Sequence, residues 1–303
     1  MIKSITVTNY LGDSIKLDLA RPELSGFVIK SITGLGPGKA TINTSEMATN
    51  DGSNFNSARL SSRNIVISLG YLWRNDASIE EIRQLSYKYF PIKKEVTLLI
   101  ETDKRTAEIV GRVESNDPNI FSKDSGSDIS IICPNPFFYS TRTNTTVFSG
   151  TDWKFEFPFS NESLTEPMLE MGDITNYAEK VIRYEGDADI GVTITIHALA
   201  AAKNISIYNT GTRDLMKIDT DKLVALTGSS IRAGDDIIIC TVTGKKSVTL
   251  IREGKTINIL NCLTKDSDWF KLTKGDNIFA YISDEGKYDL QFKIENGIAY
   301  EGV

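Results

Sequence analysis

Hydrophobic and polar positions alternate with period two along most of the chain, the pattern of half-buried strands. Ile15, Leu17 and Leu19 share one face and Lys16 and Asp18 the other. With Ile2, Ile5 and Val7 before the turn residues Asn9–Asp13, they predict an opening hairpin. Phe27–Ile32 predicts another strand. Gly34-Leu-Gly-Pro-Gly-Lys39 then predicts a tight loop, because three glycines and a proline cannot continue an element. Thr41–Ser45 reads as extended, Asn50–Ser57 as a polar loop, and Arg63–Trp73 as a longer strand with Ile65, Ile67 and Leu69 on one side. The period then changes to that of a helix. Ser78 is placed to cap it, Glu80 and Glu81 occupy its first turn, and Ile79, Ile82, Leu85 and Tyr89 share a face before Pro91 stops it. Glu95–Ile100 and Arg105–Glu114 predict a hairpin across Thr102–Lys104, and Asp128–Cys133 a last strand.

Pro134-Asn-Pro-Phe-Phe-Tyr139 interrupts this rhythm, since proline lacks a ladder donor and extends the residue before it. The Thr-rich stretch Thr141–Thr146 reads as a linker, and a second β pattern starts near Val147 and Trp153–Phe157. From there about eight short strands and no helix are expected, the spacing of a sandwich or jelly roll. The expected division is therefore a first domain over residues 1–140 and a second over 141–303. No exact internal repeat and no low-complexity tract is present.

The length of 303 residues suits two domains, and 40% hydrophobic with 24% charged residues suits packed cores. A net charge of −6 argues against a nucleic-acid surface as the main business of the chain. Cys133, Cys240 and Cys262 are far apart, and His197 is the only histidine, so no zinc set can be assembled. Cys240 and Cys262 read as small apolar residues on strands. Met1–Thr8 is too short and too polar for a signal peptide, and no long apolar run suggests a membrane span. Synthesis in a reducing cytoplasm without a signal peptide is expected.

Candidate chemistry is sparse. The loop Gly34–Lys39 is not a phosphate cradle, because Lys39 leads into Ala40-Thr-Ile-Asn43, a strand, where a Walker loop would open a helix. The carboxylate pairs Asp235/Asp236, Asp266/Asp268 and Glu162/Glu166 lie in turn-like contexts, where acids favour local hydrogen bonds. His197 falls on the polar side of its strand with Thr193 and Thr195, as a surface residue would. Trp153, Trp269, Tyr281, Tyr288 and Tyr300 could stack on sugar rings, and core packing competes for the same side chains. Of the pair Trp269 and Phe270, at least one is expected in the core. No catalytic, metal or cofactor-binding residue is expected, and no enzymatic activity.

Several short segments recur in a familiar order. They are Gly34–Ala40, Asp51-Gly52, Arg59 through Asn64, Pro134–Phe138, Ser267-Asp-Trp-Phe270, Lys274-Gly-Asp-Asn277 and Tyr300-Glu-Gly-Val303. In this order the chain resembles the distal tail proteins of long, non-contractile-tailed bacteriophages, most strongly from Ile190 to Val303. The resemblance implies a mainly β protein: a tail-tube-like β-barrel with one flanking helix, followed by a galectin-like jelly-roll sandwich. It implies a hexameric ring of copies around a central DNA channel at the virion tail tip. The partners it implies are the tail tube protein, a tail-associated hub or fibre protein and a receptor-binding protein, with DNA only passing through and no membrane insertion. Gly34, Gly36, Lys39, Asp51, Arg59 and Arg63 are the expected ring-interface residues. Charge reversal at Arg59 or Arg63 is expected to disturb assembly while sparing the isolated fold, and a fragment starting near residue 146 to fold alone as a monomer. A carbohydrate-binding adhesion module is the alternative, with Trp153, Tyr281 and Tyr288 as candidate glycan-facing aromatics. A tail-like bacteriocin would use the same part.

Overall fold

The computed structural model describes residues 1–46, 51–74, 77–119, 125–153, 172–176, 179–286 and 289–303; of 149–153 and 172–176 only the backbone is described. The chain forms two compact units, residues 1–141 with 299–303, and residues 142–298.

The strands of the first unit are β1 (Ile2–Asn9), β2 (Ser14–Asp18), β3 (Phe27–Thr33), β4 (Ala40–Glu46), β5 (Ser53–Leu60) and β6 (Arg63–Tyr71). After helix α1 (Ile79–Tyr89) come β7 (Glu95–Thr102), β8 (Thr106–Asn119), β9 (Gly126–Cys133) and β10 (Phe138–Ser140). The main ladder is antiparallel and runs β2-β1-β7-β8-β9-β6-β3. Its end strands β2 and β3 meet without forming a ladder, so the sheet curls into a barrel with an unpaired seam. Alternation fills the inside: Ile65, Ile67 and Leu69 on β6, Val96, Leu98 and Ile100 on β7, and Ile129 and Ile131 on β9 are all buried. Of the opening hairpin, Leu17 is buried and Leu19, beyond the end of β2, is exposed.

Helix α1 closes on this core through Ile82, with Leu85 and Tyr89 packed beside it. Its start carries a capping box: the Ser78 hydroxyl accepts from the Glu81 N–H, and the Glu81 carboxylate accepts from the Ser78 N–H. The helix buries Ser86 as well as Ile82, and the Ser86 hydroxyl donates to the Arg83 carbonyl within the helix.

The second unit contains β11 (Asn144–Val147), β12 (Ser149–Trp153), β13 (Gly172–Asn176), β14 (Glu179–Tyr184), β15 (Ile190–Gly191), β16 (Thr193–Ala198), β17 (Ser206–Asn209) and β18 (Asp214–Lys217). Helix α2 (Thr220–Thr227) is followed by β19 (Asp236–Cys240), β20 (Ser247–Arg252), β21 (Lys255–Asn258), β22 (Lys271–Leu272), β23 (Gly275–Ile282) and β24 (Leu290–Asn296). A six-stranded sheet β11-β24-β16-β19-β20-β21 and a four-stranded sheet β14-β23-β17-β18 form a sandwich. Ile194, Ile196, Ile237, Ile239, Val248, Leu250 and Phe292 of the first sheet meet Phe279, Tyr281 and Ile207 of the second in its core. The Tyr281 and Phe292 rings stack across the layers with centroids 3.8 Å apart. Phe270 is buried at an edge-on contact with Phe279, while Trp269 is half-buried under the Lys246 ammonium.

Four expectations need correction. Asn50–Ser57 was expected as a loop, but residues from Ser53 onward form β5. The second unit has a helix, α2, capped by the Asp219 carboxylate and ended by Gly228 in the left-handed conformation. Cys262 is buried in a short 3-10 turn and not on a strand. Residues 299–303 do not finish the second domain: Ala299–Tyr300 forms β25, which pairs with β10 in the first unit. A cut near residue 146 would also divide β11, which pairs with β24.

One buried ion pair organises the α2 end of the sandwich. Asp235 (2% exposed) and Arg252 (9%) are joined at 2.5 and 2.8 Å, and Arg252 also donates to the Ser229 hydroxyl and the Ser230 carbonyl. Burial pushes the Asp235 carboxyl up, but the Arg252 guanidinium and the Arg232 N–H outweigh it and hold it below the ordinary carboxylate range. Because the folded value is the lower one, this stabilisation is whole above the unfolded value of about 3.9 and is lost as pH falls through the folded value. Arg252→Ala is expected to cost about 3–5 kcal/mol at neutral pH, because it strands a buried carboxylate. Urea unfolding from pH 7 downwards checks this: the gap between variant and native chain should shrink below about pH 4. A gap independent of pH would contradict the role assigned to Asp235.

Candidate functional site

β3 pairs with β6, and β4 pairs with β5. The β4–β5 hairpin therefore prolongs the edge ribbon of the barrel. The ribbon is broken at one place, where residues 34–39 lie between β3 and β4 but only residues 61–62 between β5 and β6. This break is the hinge.

The hairpin has two chemically different faces. Its register sets Ala40 opposite Leu60, Ile42 opposite Ala58 and Thr44 opposite Phe55 on one face. Thr41 opposite Arg59, Asn43 opposite Ser57 and Ser45 opposite Asn54 make the other. Strict alternation from Ala58 would put Phe55 on the polar face. A register shift between Asn43 and Thr44 leaves Asn56 as an extra residue, which moves Phe55 to the apolar face. The polar face is cross-linked: the Asn43 amide donates to the Ser57 hydroxyl at 3.0 Å, and the Ser45 hydroxyl to the Asn56 side-chain oxygen at 3.3 Å. Among the described residues neither face is covered, and Ile42 and Phe55 are 62% and 67% exposed. Among the described residues neither outer edge of the hairpin has a ladder partner.

The hinge is held by Arg63. Its Nη1 donates to the carbonyls of Gly34 (2.6 Å) and Gly36, its Nε to the Pro136 carbonyl (2.7 Å) and its Nη2 to the Glu301 carbonyl (2.6 Å). The guanidinium lies over the Phe138 ring, 4.7 Å from its centroid. Burial pulls the pKa of Arg63 down from its ordinary value and pushes the neighbouring Cys133 thiol up to about 11. Gly34 has φ +84°, and a Cβ there would lie 2.1 Å from the Asn64 carbonyl oxygen, so only glycine fits. A cleft of about 630 Å³ opens beside the hinge, between residues 34–41 and 61–64.

The expected interface residues divide accordingly. Gly34 and Gly36 shape the hinge, Lys39 is exposed where β4 begins, and Arg59 is exposed on the polar hairpin face. Asp51 is exposed at the other end of the hairpin. Arg63 is corrected: it is 6% exposed and its hydrogen bonds go to carbonyls of its own chain, so reversing its charge would not spare the fold. Sequence reading missed Ile42 and Phe55, and it did not place residues 300–303 at the hinge. The signal available for Phe55 was a large apolar residue set among asparagines.

The second unit offers little chemistry. Asp235 is held by Arg252, and Asp236 lies 2.7 Å from His197 Nδ1. Tyr281, expected as a glycan-facing ring, is corrected: it is 2% exposed in the sandwich core. Tyr288 lies outside the described residues, as does the side chain of Trp153. The outward positions of the six-stranded sheet carry Gln291, Lys293, Glu295, Thr193, Thr195, His197, Asp236 and Ile238, and no Trp, Tyr or Phe among the described residues. Among the described residues no three His, Cys, Asp or Glu side chains gather as metal ligands, and no helix is long and apolar enough to cross a membrane.

Comparison with known proteins agrees with this geometry. Residues 185–295 match the family model of the siphovirus-type tail component, C-terminal domain. No curated protein sequence matches the chain. Among solved structures it is similar to SPP1 Dit (gp 19.1), described as a paradigm of the hub adsorption apparatus in phages infecting Gram-positive bacteria. The TM-score is 0.65 at 13% identity, over 98% of this chain and 99% of that one. It is also similar to chains of the phage P2 baseplate in its activated conformation. With Ca the TM-score is 0.51 at 13% identity over 98% of each chain, and with Sr 0.50 at 13% over 97% of each. The second unit thus carries the match to the siphovirus-type tail component, over residues 185–295. Over nearly its whole length the chain shares the fold of SPP1 Dit and of the phage P2 baseplate chains.

The two arginines are expected to behave differently. Arg63→Ala removes the shared donor of four carbonyls and empties a buried site, and should cost on the order of 3 kcal/mol. Arg59→Glu, on an exposed face, should stay within about 0.5 kcal/mol. Urea midpoints measure both, and equal midpoints for the two variants would contradict the placement of Arg63.

Proposed function

We propose that the first unit builds a ring from copies of this chain, with the β4–β5 hairpin as the contact between neighbours. The observation that carries this reading is the hairpin itself. A lone two-stranded ribbon is marginal in water, and this one leaves an apolar face and two free edges open. A contact between two different patches of one chain is head-to-tail, and such contacts close into rings when the rotation closes. The ring is hexameric and encloses a channel through which DNA passes. The net charge of −6 fits that use, since like charges discourage phosphates from sticking. The ring joins the tail tube protein on one side to a tail-associated hub or fibre protein on the other, at the tail tip. The second unit serves as a docking platform for receptor-binding protein. The role is structural and not enzymatic: Asp235 and Asp236, the acid pair nearest to a catalytic arrangement, are each held by a basic partner.

Light scattering with negative-stain imaging tests the ring. The native chain should give rings of roughly six copies, and Ile42→Asp combined with Phe55→Asp should give monomers with an unchanged circular dichroism spectrum. Rings that persist in the double variant would remove the hairpin as the contact. A native chain that stays monomeric with and without tail tube protein would overturn the ring.

A further inference from the structure

A hairpin can meet a neighbour reproducibly only if its hinge is stiff, and here the stiffness comes from far along the sequence. Among the described residues the hinge stretch 34–39 has no ladder partner, so groups elsewhere in the chain are left to fix its carbonyls. Arg63 supplies the carbonyls of Gly34 and Gly36, and the N–H of Val303 supplies that of Leu35 at 3.1 Å. Three consecutive hinge carbonyls are thus taken by one guanidinium and by residue 303. The same guanidinium also holds the Glu301 carbonyl, which ties the two donors together. Arg105 fixes this segment from the other side: its Nη1 donates to the Gly302 carbonyl at 3.3 Å, and its guanidinium lies 4.4 Å from the Tyr300 ring centroid. β25 anchors the segment on β10. Gly302 passes so close to the hinge that a Cβ there would lie 3.0 Å from the Leu35 carbonyl oxygen.

We propose that residues 299–303, with Arg63 and Arg105, are a strap that locks the hinge and sets the pose of the β4–β5 hairpin. This rests on the ring reading for its purpose but not for its geometry. Arg63, Arg105 and Val303 are positioning residues: none belongs to the apolar hairpin face, and each acts on it through the hinge. Deleting residues 299–303 removes the strap and leaves the hairpin and every strand of the main ladder intact. Arg63→Lys keeps the charge and loses the planar fork that reaches three stretches of chain at once.

Hydrogen exchange on the full-length chain reads the lock directly, and light scattering on the same samples reads its consequence. In both variants, amides of residues 35–42 and 60–63 should exchange about ten-fold faster or more, while β7 and β9 keep their protection. Ring formation should be lost in both, although Ile42 and Phe55 are untouched. Unchanged exchange at the hinge in both variants overturns the strap. Faster exchange with a full yield of rings overturns its role in assembly. If deletion exposes β7 and β9 as well, Arg63→Lys decides. If the native chain forms no ring, the ring reading fails by itself, and the exchange rates still decide whether the strap exists.

Discussion

Four backbone carbonyls from three distant stretches of chain converge on the guanidinium of Arg63. Such a site suits arginine and no other residue. A buried cation is costly unless its N–H groups all find acceptors, and a planar fork can address several carbonyls in fixed directions. The acceptors belong to segments that form no ladder there: the hinge, the turn after β9 and residue 301. Without the arginine these three stretches would lose the one side chain that ties them together. The barrel core is held by ordinary alternation and would survive many substitutions of similar volume. The hinge has two donors for three successive carbonyls, Arg63 and the Val303 N–H, so its geometry depends on very few groups.

The hairpin beyond that hinge is specified in a way that a solitary monomer does not need. The extra residue at Asn56 brings Phe55 to the face of Ile42, and the polar face is laced by Asn43, Ser45, Asn56 and Ser57. A ribbon free in solvent would gain nothing from sorting its residues this way. Register is strongly specified where one face is destined for burial. The barrel limits exposed edges by curling, and the hairpin adds two open ones, normally a liability for aggregation. A defined neighbour that covers them turns the liability into a contact.

The strands of both cores were legible because one face is dry. Ile65, Ile67 and Leu69, or Val248 and Leu250, repeat with period two because their partners are in the sandwich or barrel interior. Helix α1 was legible from its cap, and the Ser78–Glu81 box is present as the residue types implied. Of the hairpin, β4 was legible as extended but β5 was not: with both faces wet, its Ser and Asn residues have the composition of a loop, broken by Phe55. Helix α2 carried good cap signals in Asp219 and Gly228, but eight residues hold too few turns to show a period. Arg63 defeated sequence reading for another reason. Its acceptors lie 27, 29, 73 and 238 residues away, and no local pattern marks a side chain whose partners are carbonyls. Tyr281 was misjudged as a sugar platform because alternation says which residues share a face, not whether that face is the inner one.

The hinge and the hairpin answer one physical demand. When copies join, each contact loses translational and rotational freedom, and a loose element loses its internal freedom as well. Around a ring the demand is stricter, because an error in the pose of one hairpin passes to the next copy and closure fails unless the errors are small. A hinge of six residues, rich in glycine, would by itself be a poor support for such a contact. Held at three successive carbonyls by Arg63 and Val303, it presents the apolar face in one direction before any neighbour arrives. The glycines then serve shape: Gly34 allows a left-handed turn against the Asn64 carbonyl, and the arginine removes the flexibility that the glycines would otherwise bring.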